Sequence, residues 1–347
     1  MKFEILDCTL RDGSYVNNFQ FSASETYDLV KSLDGSGADM IEVGHGVGLG
    51  ASRGGYTRAL ESDEKYMEAA AKAIGKSRWG VFCIPGIASL DDLVIASDYD
   101  MDFIRIGIEP NGIDNATIFI EKAQQLGFSI CVNFMKSYTA SPKEFSKYVK
   151  QVSEFNIDYV YIVDSSGCMI PEILKKYIVE IQDLGIEQKI GFHGHNNLGM
   201  AVANSLTAIN SGVDVIDVTL MGMGRSGGNA CSEQMISVLS KSGKHTNIDP
   251  LISGKISEKY INKYMKDQPI NLLDIASGIA GFHSSYMPLI IKASKKYHVH
   301  PADLILSISC VDMTNITNEI VESVAKIFSN NVTLDDQYKE YHGREQD

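Results

Sequence analysis

Short runs rich in β-branched and other apolar residues recur along the chain, at 2–10, 38–45, 78–85, 103–109, 129–135, 158–165, 189–195 and 214–222. Between them the spacing turns helical. In Ser24-Glu-Thr-Tyr-Asp-Leu-Val-Lys-Ser-Leu33 it places Tyr27, Val30 and Leu33 on one face, behind a cap at Ser22 or Ser24. Ser89 before Leu90-Asp-Asp-Leu93, and Ser141-Pro142 with Glu144 soon after, signal further helix starts. Eight strands alternating with eight helices over about 240 residues predict an α/β chain folded as a (β/α)8 TIM barrel. A doubly wound open sheet is the competing architecture, but no G-x-G-x-x-G opens the first helix. After the eighth strand the pattern is helical only, as in Ile291–Tyr297 and Ile316–Phe328, with turns at Pro269 and Pro301. The expected organisation is a barrel over 1–248, a C-terminal helical region near its mouth over 249–330, and a mobile polar tail over 331–347.

In such a barrel the loops that follow the strands gather at one mouth, where active sites of this fold lie. That decides which polar residues matter. Arg11 and Asp12 follow strand one, Glu42 and His45 close strand two, and Arg105 sits on strand four. Asn133 and Lys136 end strand five, Asp164 and Ser165 strand six, and His193 and His195 strand seven. Burying so many polar groups costs free energy unless they pair or bind a metal, so a functional mouth is expected. His193 and His195 are two apart on a strand, which points both imidazoles to one side. With a carboxylate such as Asp12, beside Arg11, they would form a facial metal set with open positions. The glycine-rich stretch Gly222-Met-Gly-Arg-Ser-Gly-Gly-Asn229 either cradles a phosphate or forms a close-packed turn.

Composition narrows the classes further. A chain of 347 residues with 44% hydrophobic and 22% charged residues holds a large core and is neither disordered nor a small stapled fold. Its net charge of −13 is spread out, and no Lys/Arg patch interleaves with aromatics, so nucleic acid is not an expected partner. The six cysteines, Cys8, Cys83, Cys131, Cys168, Cys231 and Cys310, form no C-x-x-C pair and sit mostly in apolar strands, which fits a reduced cytoplasmic setting. No apolar leader and no run of about 18 apolar residues marks export or membrane insertion.

Four motifs in order, Asp7-x-Thr-Leu-Arg-Asp-Gly13, Ile41-Glu-Val-Gly-His45, His193-x-His195-Asn-Asn-Leu and Gly222-Met-Gly…Gly228-Asn229, resemble the superfamily of metal-dependent pyruvate aldolases and 3-hydroxy-3-methylglutaryl-CoA lyases. The nearest branch is that of the 4-hydroxy-2-oxovalerate aldolases, whose C-terminal helical region is similar to Gly278–Tyr286 followed by Lys292–Tyr297. The resemblance implies Asp12, His193 and His195 as ligands of a divalent metal, with Asn229 as a further ligand in the lyase branch. Mn²⁺ is the expected ion, with Mg²⁺, Co²⁺ or Zn²⁺ as alternatives. Arg11 would hold the 2-keto acid and stabilise its enolate, Ser165 would contact the pyruvyl carboxylate, and His45 would join them in binding substrate. Lys136 keeps a lysine-based route open.

One position departs from that branch, in which a histidine proposed as the base on the 4-hydroxyl follows Arg-Asp-Gly-Ser. Here it is Tyr15, and a phenol with an ordinary pKa near about 10 is a poor base at neutral pH. The branch's tyrosine before Ser-Ser is here His283. The two types are exchanged relative to that branch, so Tyr15 and His283 are expected to face each other over the mouth, with His283 as the proton-transfer group. The expected activity is a class II aldolase joining pyruvate to an aldehyde or reversing that step. A Claisen-type acyl-CoA lyase or synthase is the alternative, and a diverged barrel without aldolase activity the third. In the resembling aldolases the C-terminal region docks an aldehyde dehydrogenase, so such a partner, or a homo-oligomer, is a further expectation.

Overall fold

The computed structural model describes residues 3–265, 271–313 and 315–328. Eight parallel strands, β1 (Glu4–Asp7), β2 (Met40–Val43), β3 (Arg78–Cys83), β4 (Phe103–Ile108), β5 (Ser129–Phe134), β6 (Tyr159–Asp164), β7 (Lys189–Gly194) and β8 (Val215–Val218), close in sequence order into a barrel. β8 returns to pair with β1, placing Asp217 opposite Leu6. The predicted barrel is therefore the observed one, although β1, β2 and β8 are only four residues long. The predicted strands over-ran because the apolar residues that follow them belong to mouth loops: Leu10 and Leu220 are buried outside any strand.

The helices between strands are α1 (Ala23–Ser36), α2 (Asp63–Ala73), α3 (Leu90–Ser97), α4 (Ile113–Gln125), α5 (Pro142–Ser153), α6 (Pro171–Gln182), α7 (Ala201–Asn210) and α8 (Ser232–Lys241). Ser22, Ser89 and Ser141 each cap a helix in a full capping box, with Glu25, Asp92 and Glu144 reaching back to the cap N–H. Val30 and Leu33 of α1 are buried, whereas Tyr27 is half-buried.

Strand residues alternate between two cores. Ile104 and Ile106 of β4 face the helices in the larger core, while Phe103 lies inside the barrel with Leu6, Met40, Tyr161 and Val215. The interior is filled tightly: a Cβ on Gly191 would come within 2.4 Å of the Tyr161 ring, so β7 needs glycine there.

Beyond the barrel lie α9 (Pro250–Tyr260), α10 (Asn262–Met265), α11 (Leu272–Ala280), α12 (Met287–Tyr297), α13 (Pro301–Ser309) and α14 (Asn318–Ile327). Ile256 of α9 and the adjoining Ile261 join the barrel's outer core, whereas Leu273, Phe282, Met287, Leu304 and Val321 build a separate core among α11–α14. The predicted turn at Pro301 is the start of α13. Pro269 and the tail at 331–347 lie outside the described residues. Among the described residues no helix is long and apolar enough to cross a membrane.

The α11–α12 corner is tied to the barrel mouth by polar bonds. Asn197 Nδ2, after β7, donates to the Asp274 carbonyl at 3.0 Å and to Ser226 Oγ at 2.7 Å, and Ser226 Oγ donates to Asp274 Oδ1 at 3.2 Å. A Cβ on Gly278 would come within 2.8 Å of Leu198, so glycine lets α11 approach the loop after β7 closely. This docking carries His283 over the barrel.

Candidate active site

Asp12, His193 and His195 converge. Their donor atoms all lie within 4.8 Å of one another, and all three residues are buried. His193 projects inward from β7, and His195 lies just past the strand's end, where it is paired with Asn229 by an isolated β-bridge. His193 Nδ1 lies 2.8 Å from Asp217 Oδ2 and donates to it. His195 Nδ1 faces the carbonyls of Arg225 at 3.2 Å and Gly228 at 3.1 Å, which can only accept. Both protons are thereby placed on Nδ1, and both Nε2 atoms are left with lone pairs, 3.4 Å apart. Two lone pairs so close repel unless a cation lies between them. The donor set therefore fits a divalent metal.

Charge supports the same conclusion. Burial would raise the Asp12 carboxyl, but the surrounding positive charge, that of Arg11 foremost, holds it below the ordinary carboxylate range. Burial pushes the His195 imidazole down to about 3, which keeps it neutral and able to ligate. A second cluster, Cys8, His193 and Asp217, is a poorer site. Burial raises the Cys8 thiol well above its usual value, its Sγ donates to the Val218 carbonyl at 3.5 Å, and Asp217 is already engaged.

Beneath the metal set runs a buried ionic chain. Arg11 Nη1 donates to Asp12 Oδ1 at 2.8 Å and Arg11 Nε to Glu42 Oε2 at 2.7 Å. Arg105 bridges Glu42 at 3.0 Å and Asp217 at 2.6 Å, with its guanidinium 4.5 Å above the Tyr161 ring. Glu42 and Arg105, expected at the mouth, lie instead inside the barrel with no exposure. They fix Arg11 from one side and His193, through Asp217, from the other.

A cavity of about 200 Å³ opens above this floor. Arg11, Asp12, Tyr15, Ser165, His193, His195 and His283 all line it, together with Asn133, Lys136, Arg225 and Ser285. Tyr15 and His283 thus border one space. His283 Nδ1 faces Ser285 Oγ at 2.7 Å and accepts from the Ser285 N–H at 3.3 Å, so the neutral ring carries its proton on Nε2. Burial, then Arg225 and Lys136, lower its pKa well below the usual histidine value. Lys136, at φ 56°, forms an ion pair with Glu109 at 2.6 Å rather than offering a desolvated amine.

Two expected residues are placed differently. His45 does not line the cavity. Its Nε2 donates to the Thr57 carbonyl at 2.8 Å, its Nδ1 accepts from the Val47 N–H at 3.1 Å, and its ring stacks on Phe19 at 3.9 Å. Both nitrogens are spent on holding a loop, which corrects its expected substrate contact. Asn229 stands behind the metal set: Nδ2 donates to Asp12 Oδ2 at 2.5 Å and to the Met223 carbonyl at 3.2 Å, while buried Oδ1 has no partner. In this arrangement Asn229 orients Asp12. Asp217 and Arg225 were not singled out from sequence, although a lone acid in the apolar run Val215-Ile-Asp-Val218 was a readable signal.

The glycine-rich stretch is a close-packed turn. A Cβ on Gly228 would lie 2.3 Å from the Gly222 carbonyl oxygen, and one on Gly227 2.7 Å from Asn197 Cα. A Cβ on Gly224 would lie 2.1 Å from Asn229 Nδ2 and 3.0 Å from Asp12 Oδ2. Gly224→Ala is therefore expected to displace Asp12 and weaken Mn²⁺ binding by roughly 10–100-fold, measured by titration calorimetry. Unchanged affinity would show that Asp12 does not depend on this turn.

The chain matches the HMGL-like family over residues 2–253. It is 31% identical over 325 residues to 4-hydroxy-2-oxovalerate aldolase of Carboxydothermus hydrogenoformans, covering 93% of this chain and 96% of that protein. It is also 36% identical over 245 residues to oxaloacetate decarboxylase of Mycobacterium tuberculosis, 71% of this chain and 72% of that protein. The carboxyl transferase domain of Rhizobium etli pyruvate carboxylase, solved with pyruvate and biocytin, superposes with a TM-score of 0.77 at 13% identity, over 96% of this chain and 61% of that one, which speaks to fold alone. With a family match across the whole barrel and a relative aligned along nearly its full length, this chain belongs to the HMGL-like family.

Proposed function

We propose that this protein is a divalent-metal-dependent class II aldolase, a carbon–carbon lyase that cleaves or forms a 4-hydroxy-2-keto acid with pyruvate as the nucleophilic half. The observation that carries this reading is the pair of imidazole lone pairs 3.4 Å apart beside Asp12 and Arg11 in a cavity wall. Asp12, His193 and His195 would hold the ion, Mn²⁺ by expectation, and the bound ion would supply Lewis acidity toward a 2-keto-acid carbonyl.

The chain's own residues account for the rest. Arg11, held at Nε and Nη1 by Glu42 and Asp12, keeps a fixed positive charge where the pyruvate enolate oxygen develops negative charge, and needs no reorganisation to do so. Ser165 Oγ accepts from the Lys136 N–H at 2.9 Å, which leaves its own proton for the pyruvyl carboxylate. In the cleavage direction the 4-hydroxyl loses its proton, the C3–C4 bond breaks, and its electron pair becomes the enolate. His283 is the acceptor of that proton through Ser285: Ser285 Oγ takes the substrate proton as it passes its own to His283 Nδ1. Tyr15 lines the same cavity. Leu272, Ile275 and Ile279 present an exposed apolar stripe on α11, which supports docking of an aldehyde dehydrogenase or a second copy.

The test is exchange of the pyruvate methyl protons in D₂O, followed by NMR with Mn²⁺-loaded protein. Exchange that stops on chelation is expected. No exchange with metal bound would remove the aldolase reading and favour an acyl-CoA substrate.

A further inference from the structure

Every other buried cation around the cavity has an acid partner. Arg11 is paired with Asp12 and Glu42, Arg105 with Glu42 and Asp217, and Lys136 with Glu109. Arg225 is different. It is 6% exposed and lines the cavity, no described carboxylate lies within ion-pair distance, and its buried Nε has no hydrogen-bond partner. Among the described residues its one side-chain hydrogen bond is a long one, from Nη2 to the Ser165 carbonyl at 3.4 Å. An uncompensated guanidinium out of water is costly, and its planar fork takes a carboxylate or a phosphate bidentately, of which the carboxylate is the smaller fit for a cavity of about 200 Å³.

The position is built rather than accidental. The Arg225 carbonyl accepts from His195 Nδ1, and the next residue, Ser226, is held at φ 54° by Asn197 and Asp274. A non-glycine residue at positive φ persists where its surroundings over-determine it. The guanidinium carbon lies 5.7 Å from the centre of the Tyr15 ring. Tyr15 and His283 line the same cavity, in which the pyruvyl half would be drawn to Arg11 and to the ion that Asp12, His193 and His195 would hold.

We propose that Arg225 binds a second carboxylate on the substrate, so that the aldehyde released on cleavage is itself a carboxylate anion. The inference rests on the aldolase reading and names its substrate class. The reaction balances without a co-reactant: a 4-hydroxy-2-keto diacid gives pyruvate and a carboxylated aldehyde, the hydroxyl proton leaving and C3 gaining one. The positive field of Arg225 on His283 has the same consequence, because a bound anion offsets it when His283 takes up a proton.

Titration calorimetry on the Mn²⁺-loaded protein tests this with 2-keto acids that lack a 4-hydroxyl and so cannot be cleaved. 2-Oxoglutarate and 2-oxoadipate are compared with the monoacids of equal length, 2-oxovalerate and 2-oxohexanoate. At least one diacid is expected to bind tenfold or more tightly than its monoacid counterpart. R225M is expected to close that gap while leaving the monoacids within about twofold, and R225K to restore part of it. No diacid preference in the wild type overturns the proposal whatever the variants do. Equal weakening of diacids and monoacids in a folded R225M also overturns it, since Arg225 would then hold the shared 2-keto-acid head. Pyruvate exchange in the same samples separates the two ideas. Preference without exchange removes the aldolase activity and keeps the carboxylate site, whereas exchange without preference removes only the site.

Discussion

His195→Ala is expected to lower Mn²⁺ affinity by more than the roughly 10–100-fold that the loss of an outer-shell partner causes, and to abolish pyruvate exchange. His195 belongs to the set with Asp12 and His193 and not to the cluster of Cys8, His193 and Asp217, so this variant discriminates between them. Cys8→Ala should leave Mn²⁺ affinity within about twofold. Asp217→Asn should fall between, at roughly 10–100-fold, because it removes the carboxylate that fixes the His193 proton on Nδ1 without removing a ligand. Titration calorimetry and the electron paramagnetic resonance signal of free Mn²⁺ read all three. Tight binding retained by His195→Ala but lost by Cys8→Ala would move the metal to the deeper cluster.

The largest effect on stability is expected from Arg105→Met. Arg105 has no exposure and joins Glu42 to Asp217, so removing its charge leaves two carboxylates inside the barrel with one partner fewer each. Breaking a buried pair from one side costs about 3–5 kcal/mol. The pH dependence gives the mechanism away. In the wild type, burial would raise the Asp217 carboxyl, but Arg105 and His193 overcome it and lower the pKa, so this group adds stability above the ordinary carboxylate range. In Arg105→Met burial would win and the folded-state pKa would rise above the unfolded one. Stability would then fall as pH rises from about 4 until the shifted group is ionised. Urea unfolding at pH 5 and pH 8 should show the variant's deficit growing with pH. A deficit independent of pH would mean that lost packing against Tyr161, and not stranded charge, is responsible.

How far the site could be read in advance depended on whether a residue sat on a regular element. His193 and His195 were readable because a strand repeats every two residues, whereas Asp12, which opens the 3₁₀ turn Asp12–Asn17 beyond β1, was readable only as a carboxylate beside Arg11 near the mouth. His45 was misplaced by the same logic. It lies two residues past β2, where the chain has turned and the ring is drawn onto Phe19. No periodicity governs a loop, and Phe19 comes from the turn after β1. Asn229 and Arg225 share a glycine-rich turn whose path is set by backbone contacts too close for a Cβ. Its side-chain directions follow from those contacts and not from spacing. His283 was identified as a cavity residue, but its tautomer depends on Ser285, two residues on in a short 3₁₀ turn.

The sequence by itself determined the eightfold alternation, the helix starts at Ser22, Ser89 and Ser141, and the identity of the two imidazoles and one carboxylate that meet. These follow from local rules of period and capping, which act over a few residues. Only the tertiary structure decided which ring nitrogens face each other, that Glu42 and Arg105 lie beneath the site rather than at its mouth, and that Arg225 alone among the described buried cations around the cavity lacks an acid partner. Those outcomes depend on strands and loops far apart in the chain, as in the bond from Asn229 to Asp12. Burial makes each unmatched charge or lone pair costly there, and charge and proton positions are fixed only once all the neighbours are in place.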